Sequence, residues 1–580
     1  MPLPARFFAI SFLDSAIARN GSPSIRSANY LSKPELASAS PHCSHILPSD
    51  WFDPSAAGGS LPYNDRIRLM RPHGRSLLKN STATSSLRLC LRVGLVGREE
   101  VDKMSASSNS TEIKFGTDGW RGLIAHDFTF ANVRKVTRAI ASYLETAYTK
   151  DRPVLVSYDT RFLADEFART AAEVLADLGW TVKVVDRDCP TPVIAYSAKH
   201  LNSAGALMFT ASHNPAPYCG IKYIPDYAGP ATPEITDTIV ANIAGASDAP
   251  AKGSHNDKIS SFDPKPEYLK FLYTLIDVER IRSAKLKVKY DALYSTSRGY
   301  LDGVLEHCGC DVESFHTYRD VLFGGGMPEP KGEQLVELVE AVKKDSADLG
   351  LATDGDSDRF GIVDELGNVL TPNTVLLLLA RHLVKNKGLT GAIVRTVATT
   401  HLLDNLAAKY GLTIYETAVG FKYIGEKMRE TAVLIGGEES GGLSVLGHIP
   451  EKDGILADML VAEAIAYEGK PLSQLVEEAI KEADGPLYNK RLDLHLDEAH
   501  KAAVLESFTK NPPKEVAGIG VKEIGRKDGI KLYLEDGGWV LLRPSGTEPL
   551  MRVYMETNSV EKESQVAQHM ENVISQLEPV

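Results

Sequence analysis

The stretch SAGALMFTASHNPAPYCGIK, residues 203–222, decides how this chain is read. Ala204 to Phe209 is a short, uninterrupted apolar run, which predicts a buried strand. Thr210, Ala211, Ser212, His213, Asn214 and Pro215 follow, a proline-closed polar turn that lifts the backbone out of a sheet. Ser212 is therefore expected at a strand end, where parallel sheets open their ligand crevices. A serine there can act as a nucleophile or carry a covalent group if a neighbour takes its proton. An ordinary Ser/Asn turn fits the same residues, so the rest of the chain has to arbitrate.

Working outward, strand and helix patterns alternate on both sides of this stretch. Phe128 to Tyr148 has Val133, Val136, Ile140 and Leu144 on one helical face. VLVSYD (154–159) reads as a strand, Phe162 to Leu178 as a helix ended by Gly179, TVKVVD (181–186) as a strand and Pro192 to His200 as a helix. The alternation predicts a parallel α/β domain. Residues 244–266 read as a polar linker. A second round contains the strand KLKVKYDAL, helices over 299–307 and 332–344, and the strand ADLGLATD. A third contains VLLLLARHLV, the strand GAIVRTVA, a helix over 401–410 and the strand TAVLIGGEES. Three units of about 110 residues suggest one repeated fold. From about residue 487 the strands are joined by short turns, which predicts an antiparallel α+β domain.

Bulk properties bound the function. The 580 residues exceed a single core. Composition is 43% hydrophobic and 24% charged, ordinary for a globular protein. No apolar stretch approaches the roughly 18 residues of a membrane span. A net charge of −12 argues against nucleic acid as the main partner. Six cysteines give no disulfide framework, and Cys308 with Cys310 lacks a second pair for zinc. Reduced thiols and a cytoplasmic protein are the expectation. Residues 1–103 differ, with 13 basic against 8 acidic side chains. They lack sustained periodicity and fit neither a transit peptide nor a secretory signal. Residues 1–110 are read as a disordered or non-native extension, with translation starting at Met104; Glu99-Glu100-Val101 can be encoded by a purine-rich ribosome-binding sequence.

Four further motifs carry chemistry. FGTDGWRG (115–122) is a glycine loop presenting Arg121. DGDSDR (354–359) places carboxylates at Asp354, Asp356 and Asp358, whose repulsion calls for a cation; oxygen ligands favour magnesium or calcium. An EF-hand is rejected because its sixth position is Arg359 instead of glycine and its flanks read as strands. GGEESGG (436–442) offers Glu438 and Ser440 as partners for sugar hydroxyls. RPSGTEP (543–549) supplies a guanidinium, two hydroxyls and a glycine amide, a donor cluster suited to phosphate. For these loops an acidic turn, a flexible loop and a plain hairpin remain the blander readings. Other signatures fail. GFKYIGEK (420–427) has Glu426 where a P-loop needs lysine, the Ser212 turn lacks the glycines of a nucleophile elbow, and no GxGxxG follows a strand.

The serine turn TASHNP, DGDSDR, GGEESGG and RPSGTEP, in this order and one per domain, together with FGTDGWRG and GIK, resemble the motifs of the α-D-phosphohexomutases, from Ile113 to the C-terminus. The resemblance implies three consecutive α/β/α sandwich domains of similar fold plus a C-terminal α+β domain around a central cleft. Boundaries are expected at 111–250, 251–371, 372–485 and 486–580. It implies that Ser212 is carried as phosphoserine, that Mg2+ is held by Asp354, Asp356, Asp358 and a phosphoserine oxygen, and that glucose 1,6-bisphosphate is intermediate and activator. Lys222 would be the general acid/base, with Arg121 and Arg359 stabilising phosphoryl charge and His213 assisting. Glu438, Ser440 and Gly420 would bind the sugar. Arg543, Ser545, Gly546 and Thr547 would hold the phosphate not being transferred, with Lys452 and Arg395 as further contacts. The partners implied are small-molecule hexose phosphates. Gly442, where several relatives have histidine, and the echo in GHIPEKDG favour phosphoglucomutase activity. Phosphomannomutase or dual activity comes next, then phosphoglucosamine mutase. A sugar-phosphate binding protein without turnover would be expected to lack Ser212 or the aspartates, and all are present.

Overall fold

The structure, a computed structural model, describes residues 113–116, 119–253, 257–545 and 549–577. The N-terminal extension, the Met104 start and the expected phosphate ligands Gly546 and Thr547 lie outside the described residues.

The first sheet has seven strands: β1 (Phe115–Gly116), β2 (Gly119–Leu123), β3 (Val154–Tyr158), β4 (Val182–Val185), β5 (Ala206–Phe209), β6 (Tyr218–Ile224) and β7 (Ile259–Phe262). They lie in the order β1-β2-β6-β5-β3-β4-β7. The expectation of a parallel sheet is half right. β5, β3, β4 and β7 run parallel, but β6 is antiparallel to both β5 and β2. The turn at 210–217 is therefore a hairpin, short enough to return the chain directly. The linker expectation over 244–266 is corrected too. Within it, β7 pairs with β4, and Lys265 opens a helix running to Leu272.

The second sheet contains β8 (Lys287–Asp291), β9 (Asp311–Phe315), β10 (Leu349–Thr353) and β11 (Phe360–Asp364) in the order β11-β10-β8-β9. The third contains β12 (Ala392–Thr396), β13 (Ile414–Thr417), β14 (Val433–Gly437) and β15 (Leu443–Val445) in the order β13-β12-β14-β15. Numbered within each unit, both run 4-3-1-2, and β6-β5-β3-β4 of the first sheet repeats that order. In each unit strands 1 to 3 are parallel and the fourth returns antiparallel beside the third. The repeat read from the sequence is real. It also places the Ser212 loop, the Asp354–Arg359 loop and the Glu438–Gly442 loop at one equivalent position, the hairpin between strands 3 and 4.

The fourth sheet holds β16 (Tyr488–His495), β17 (Glu515–Val516), β18 (Ile519–Gly525), β19 (Ile530–Leu534), β20 (Trp539–Pro544) and β21 (Leu550–Thr557). All its pairings are antiparallel, as expected. The helix 560–575 packs on β21 and β16.

One buried apolar cluster runs from Leu155 to Ala483 through all three α/β units. It includes the helices Pro372–Lys385 and Gly454–Glu468, whose leucines are covered on nearly every side. Burying such a side chain is worth about 1.5–3 kcal/mol, and the shared cluster holds the three units in fixed register. Asp453 accepts from the Leu456 amide and so caps the second of these helices. Its other oxygen accepts from the Tyr268 hydroxyl at 2.7 Å and lies 3.1 Å from His448 Nε2. Lys452, one residue earlier, is thereby anchored. No helix among the described residues is long and apolar enough to cross a membrane.

Candidate active site

Ser212 leaves the end of β5 with φ +51°, the left-handed region that non-glycine residues rarely occupy. Its amide donates to Thr210 Oγ1 at 2.8 Å. Its hydroxyl donates to Asp354 Oδ2 at 2.9 Å and lies 3.3 Å from His213 Nδ1. The serine is 2% exposed. Beside it, Arg121 Nη1 donates to Asn214 Oδ1 at 2.6 Å. Two hairpin loops from different sheets thus meet at one hydroxyl. The approach is close: a Cβ on Gly355 would lie 2.6 Å from the Ser212 carbonyl oxygen.

Asp354, Asp356 and Asp358 are all buried, and each offers an oxygen within 4.8 Å of the others. Two lysines, one from a strand and one from a loop, approach them. Lys222 of β6 donates to Asp356 Oδ2 at 2.9 Å and Asp358 Oδ2 at 3.3 Å. Lys452 Nζ is 3.3 Å from Asp358 Oδ2 and 2.6 Å from Glu451 Oε1. Thr191, opening the helix 191–200, donates its hydroxyl to Asp356 Oδ2 at 2.7 Å and its amide to the Asp356 carbonyl at 2.9 Å. Burial alone would raise the Asp356 carboxyl, but Lys222 and Thr191 outweigh it and hold the group below the usual range. Burial and the neighbouring Asp356 and Asp358 push Asp354 well above that range. Asp356 Oδ1 and Asp358 Oδ1 are buried with no hydrogen-bond partner. Orphaned, converging carboxylate oxygens are the donor set a hard divalent cation requires, so the triad fits Mg2+.

Arg359 closes the loop. Its amide donates to Asp354 Oδ1 at 3.0 Å, and Nη1 lies 3.3 Å from Glu329 Oε1. Glu438, ending the third unit's hairpin strand, accepts from the Gly420 amide at 2.9 Å. Gly420 holds φ +129°, which a side chain would resist. Burial, reinforced by Glu439, raises the Glu438 carboxyl to about 7. Ser440 is half-buried in the same loop. On the fourth sheet Arg543 Nε donates to Asp528 Oδ2 at 2.9 Å. Asp528 Oδ2 also accepts from the Val419 amide at 2.8 Å, tying the fourth sheet to the Gly420 loop. Ser545 is buried at the start of the expected phosphate loop.

The match with known proteins follows this division. Residues 112–249, 266–367 and 371–483 match α/β/α domains I, II and III of phosphoglucomutase/phosphomannomutase, and 498–573 match its C-terminal domain. The chain belongs to the phosphoglucomutase/phosphomannomutase family. The phosphoglucomutase/phosphomannomutase of Thermococcus kodakarensis is 31% identical over 77% of this chain and 95% of its own length. The phosphoglucosamine/phosphogalactosamine mutase of Sulfurisphaera tokodaii is 30% identical over 80% of this chain and 98% of its own. A crystal structure from Thermus thermophilus, provisionally named a phosphomannomutase, superposes with a TM-score of 0.72 at 31% identity. It covers 80% of this chain and 99% of that one. The protein is thus a phosphohexomutase, an isomerase.

Within this phosphohexomutase Arg395, the other expected phosphate contact, is held by two acids of its own unit: Asp404 through Nε and Nη2 at 2.6 and 2.8 Å, and Glu416 through Nη1 at 2.7 Å. The sequence reading also passed over Arg161, Asp159, Thr191 and Glu329. Only the DTR triplet after a strand hinted at the first two; the others carry no local signal.

Proposed function

We propose that this phosphohexomutase moves a phosphoryl group between the 1- and 6-positions of a hexose, with glucose phosphates as its substrate, and that Ser212 carries the group between the two halves of the reaction. The observation that supports this most is the 2.9 Å contact between the Ser212 hydroxyl and Asp354 at the mouth of a buried three-carboxylate cluster. A phosphoryl group on Ser212 would bring its charge to the one place, among the described residues, where buried acidic oxygens lie close enough to share a cation. Mg2+ held by Asp354, Asp356, Asp358 and a phosphoserine oxygen would offset the negative charge of the transferring group, where most of such catalysis resides.

In the forward half the Ser212 Oγ–P bond breaks as a bond forms to the free hydroxyl oxygen of the sugar, giving a hexose bisphosphate. In the return half the other phosphate passes back to Ser212 and leaves the isomer. Lys222 is assigned as general acid/base: with a cation in place of its charge at Asp356 and Asp358, the neutral Nζ would take the sugar hydroxyl's proton, and Ser212 Oγ regains one as its bond to phosphorus breaks. His213 assists at Ser212 Oγ, since burial and the surrounding arginines keep its imidazole neutral and able to accept. Arg121 and Arg359 are assigned to the phosphoryl oxygens. Glu438 and Ser440, beside Gly420, take the sugar hydroxyls. Arg543, Ser545, Gly546, Thr547 and Lys452 take the distal phosphate.

Mannose phosphates or amino-sugar phosphates are the second reading, supported by relatives whose names carry those activities. The deciding experiment compares kcat/KM for the 1-phosphates of glucose, mannose and glucosamine, using the full chain with Mg2+ and trace glucose 1,6-bisphosphate. A marked preference for glucose is expected. Equal rates on mannose make the enzyme dual, and preference for glucosamine overturns the choice of sugar. Ser212→Ala should abolish turnover while leaving sugar-phosphate binding intact; turnover at the normal rate in that variant refutes the serine's role.

A further inference from the structure

We propose that Arg161 is the positioning residue that sets where Ser212 stands, holding the whole 212–218 loop from beneath through its backbone carbonyls. The inference rests on the reading of Ser212 as the phosphoryl carrier.

Arg161 is fully buried, one residue past the Asp159-Thr160 pair that follows β3. A guanidinium has five N–H donors in a rigid plane. All five are used here. Nε donates to Asp159 Oδ2 at 3.0 Å. Nη1 donates to the carbonyls of Pro215 and Tyr218 at 2.8 and 3.0 Å. Nη2 donates to those of Ser212 and Asn214 at 2.6 and 2.7 Å. With no donor left over, Arg161 is not a ligand-binding arginine. Its partners, apart from the acid that fixes it, are four carbonyls of the single loop that carries Ser212.

The loop needs such a partner. Ser212 is held at φ +51°, a conformation that persists only where the surroundings over-determine it. The buried carbonyl of Ser212 would otherwise lack a donor, at about 1–3 kcal/mol, and those of Asn214, Pro215 and Tyr218 are only partly open to water. The arginine is itself fixed from the second unit. The Phe323 ring faces the guanidinium at 5.1 Å. Arg319 donates to the carbonyls of Thr160 and Arg161 at 3.1 and 3.2 Å. The residues that fix the serine are thus braced by the same unit that supplies the aspartates.

The test compares wild type with Arg161→Lys, Arg161→Met, Asp159→Asn and Ser212→Ala. Readouts are kcat, KM, melting temperature and the phosphorylated fraction of Ser212 by intact mass. A lysine keeps the charge but offers three donors from one point in place of the fork. Displacing a reacting group by about 1 Å costs on the order of 100-fold, so kcat of Arg161→Lys should fall by about that much. KM should stay near wild type, because no substrate contact is removed. Arg161→Met should fall further, so that lysine is a partial rescue, and Asp159→Asn should fall in the same direction. A kcat within twofold of wild type in Arg161→Lys overturns the proposal. So does a loss of activity that only tracks the loss of folded protein, or failure of all the Arg161 and Asp159 variants to fold, since each assigns Arg161 to the fold alone. Wild-type turnover by Ser212→Ala would instead refute the carrier reading, and is seen separately.

Discussion

Replacing Gly355 by alanine tests the site's geometry without removing any chemical group. Gly355 follows the first aspartate of the triad, with its amide on the Pro328 carbonyl at 3.0 Å. Its backbone is not in the left-handed region, so alanine meets no strain of its own there. The new methyl would, however, lie 2.6 Å from the Ser212 carbonyl oxygen and 3.3 Å from Pro328 Cβ. A carbon and a carbonyl oxygen settle at about 3.3–3.6 Å, so one side has to yield by about 0.7–1.0 Å. Neither is free to yield: the Ser212 carbonyl is held at 2.6 Å by Arg161, and Pro328 is tied to Gly355 itself. Whether the serine loop shifts or the two units part, the 2.9 Å contact of Ser212 with Asp354 is lost.

A displacement of about 1 Å corresponds to roughly 100-fold in rate, or about 2.7 kcal/mol in the barrier. Stability should change less, because alanine's entropic gain of about 0.4–1 kcal/mol partly offsets overpacking of about 1–3 kcal/mol. The assay is steady-state mutase turnover with Mg2+ and hexose bisphosphate, alongside thermal unfolding. Gly303→Ala is the control. It lies in the helix Leu301–His307 with nothing within 4 Å of its new methyl, and should leave kcat unchanged while stabilising by up to about 1 kcal/mol. A Gly355→Ala enzyme within threefold of wild-type kcat would refute the claim that the Ser212–triad distance governs the reaction.

Three further outcomes are expected. Lys222→Met leaves Asp356 without its paired lysine and Asp358 with Lys452 alone, and should cost about 3–5 kcal/mol in EDTA; unchanged denaturant midpoints in EDTA would contradict the pairing. Mg2+ at about 100 times its Kd should stabilise the wild type by about 2.7 kcal/mol, with the gain lost in Asp356→Asn; equal shifts in both would place the ion elsewhere. Glu438, raised from 4.5 to about 7 by burial, binds a proton more readily in the folded than in the unfolded chain. Its contribution to stability is therefore full below pH 4.5 and lost as pH rises through about 7. Glu438→Gln should gain melting temperature over wild type across that window and hold the gain above it, and a pH-independent difference would show the carboxyl is not so perturbed.

Much of this was legible because the decisive residues sit in short, chemically dense loops between strong strand signals. DGDSDR and TASHNP each follow an apolar run, and each proved to be the hairpin between strands 3 and 4 of a repeated unit. What the sequence could not give was partnership at a distance. The antiparallel return of β6 is invisible because a buried strand of either direction is simply apolar. β7 hides in a polar stretch because an edge strand needs only one covered face. Arg395 stood out as a guanidinium, but the acids that hold it, Asp404 and Glu416, lie 9 and 21 residues away. Arg161 went unremarked for the converse reason: its partners are backbone carbonyls 51 to 57 residues away, and carbonyls have no sequence signature.

The charge arrangement explains why the site is assembled from several units. Three buried aspartates in one loop repel one another, and that loop's own cation, Arg359, is shared with Glu329. The two lysines beside the triad come from the first and third units. Each unit therefore meets a charge the neighbouring one lacks, and docking them is part of neutralising the site. The same arrangement would suit the proposed reaction: a phosphoryl group on Ser212 and a cation arriving together would change the cluster's charge little, so the units could stay packed during transfer. Breaking one lysine contact should thus loosen the apo protein more than the loaded one, which is the sign of the difference expected for Lys222→Met with and without Mg2+.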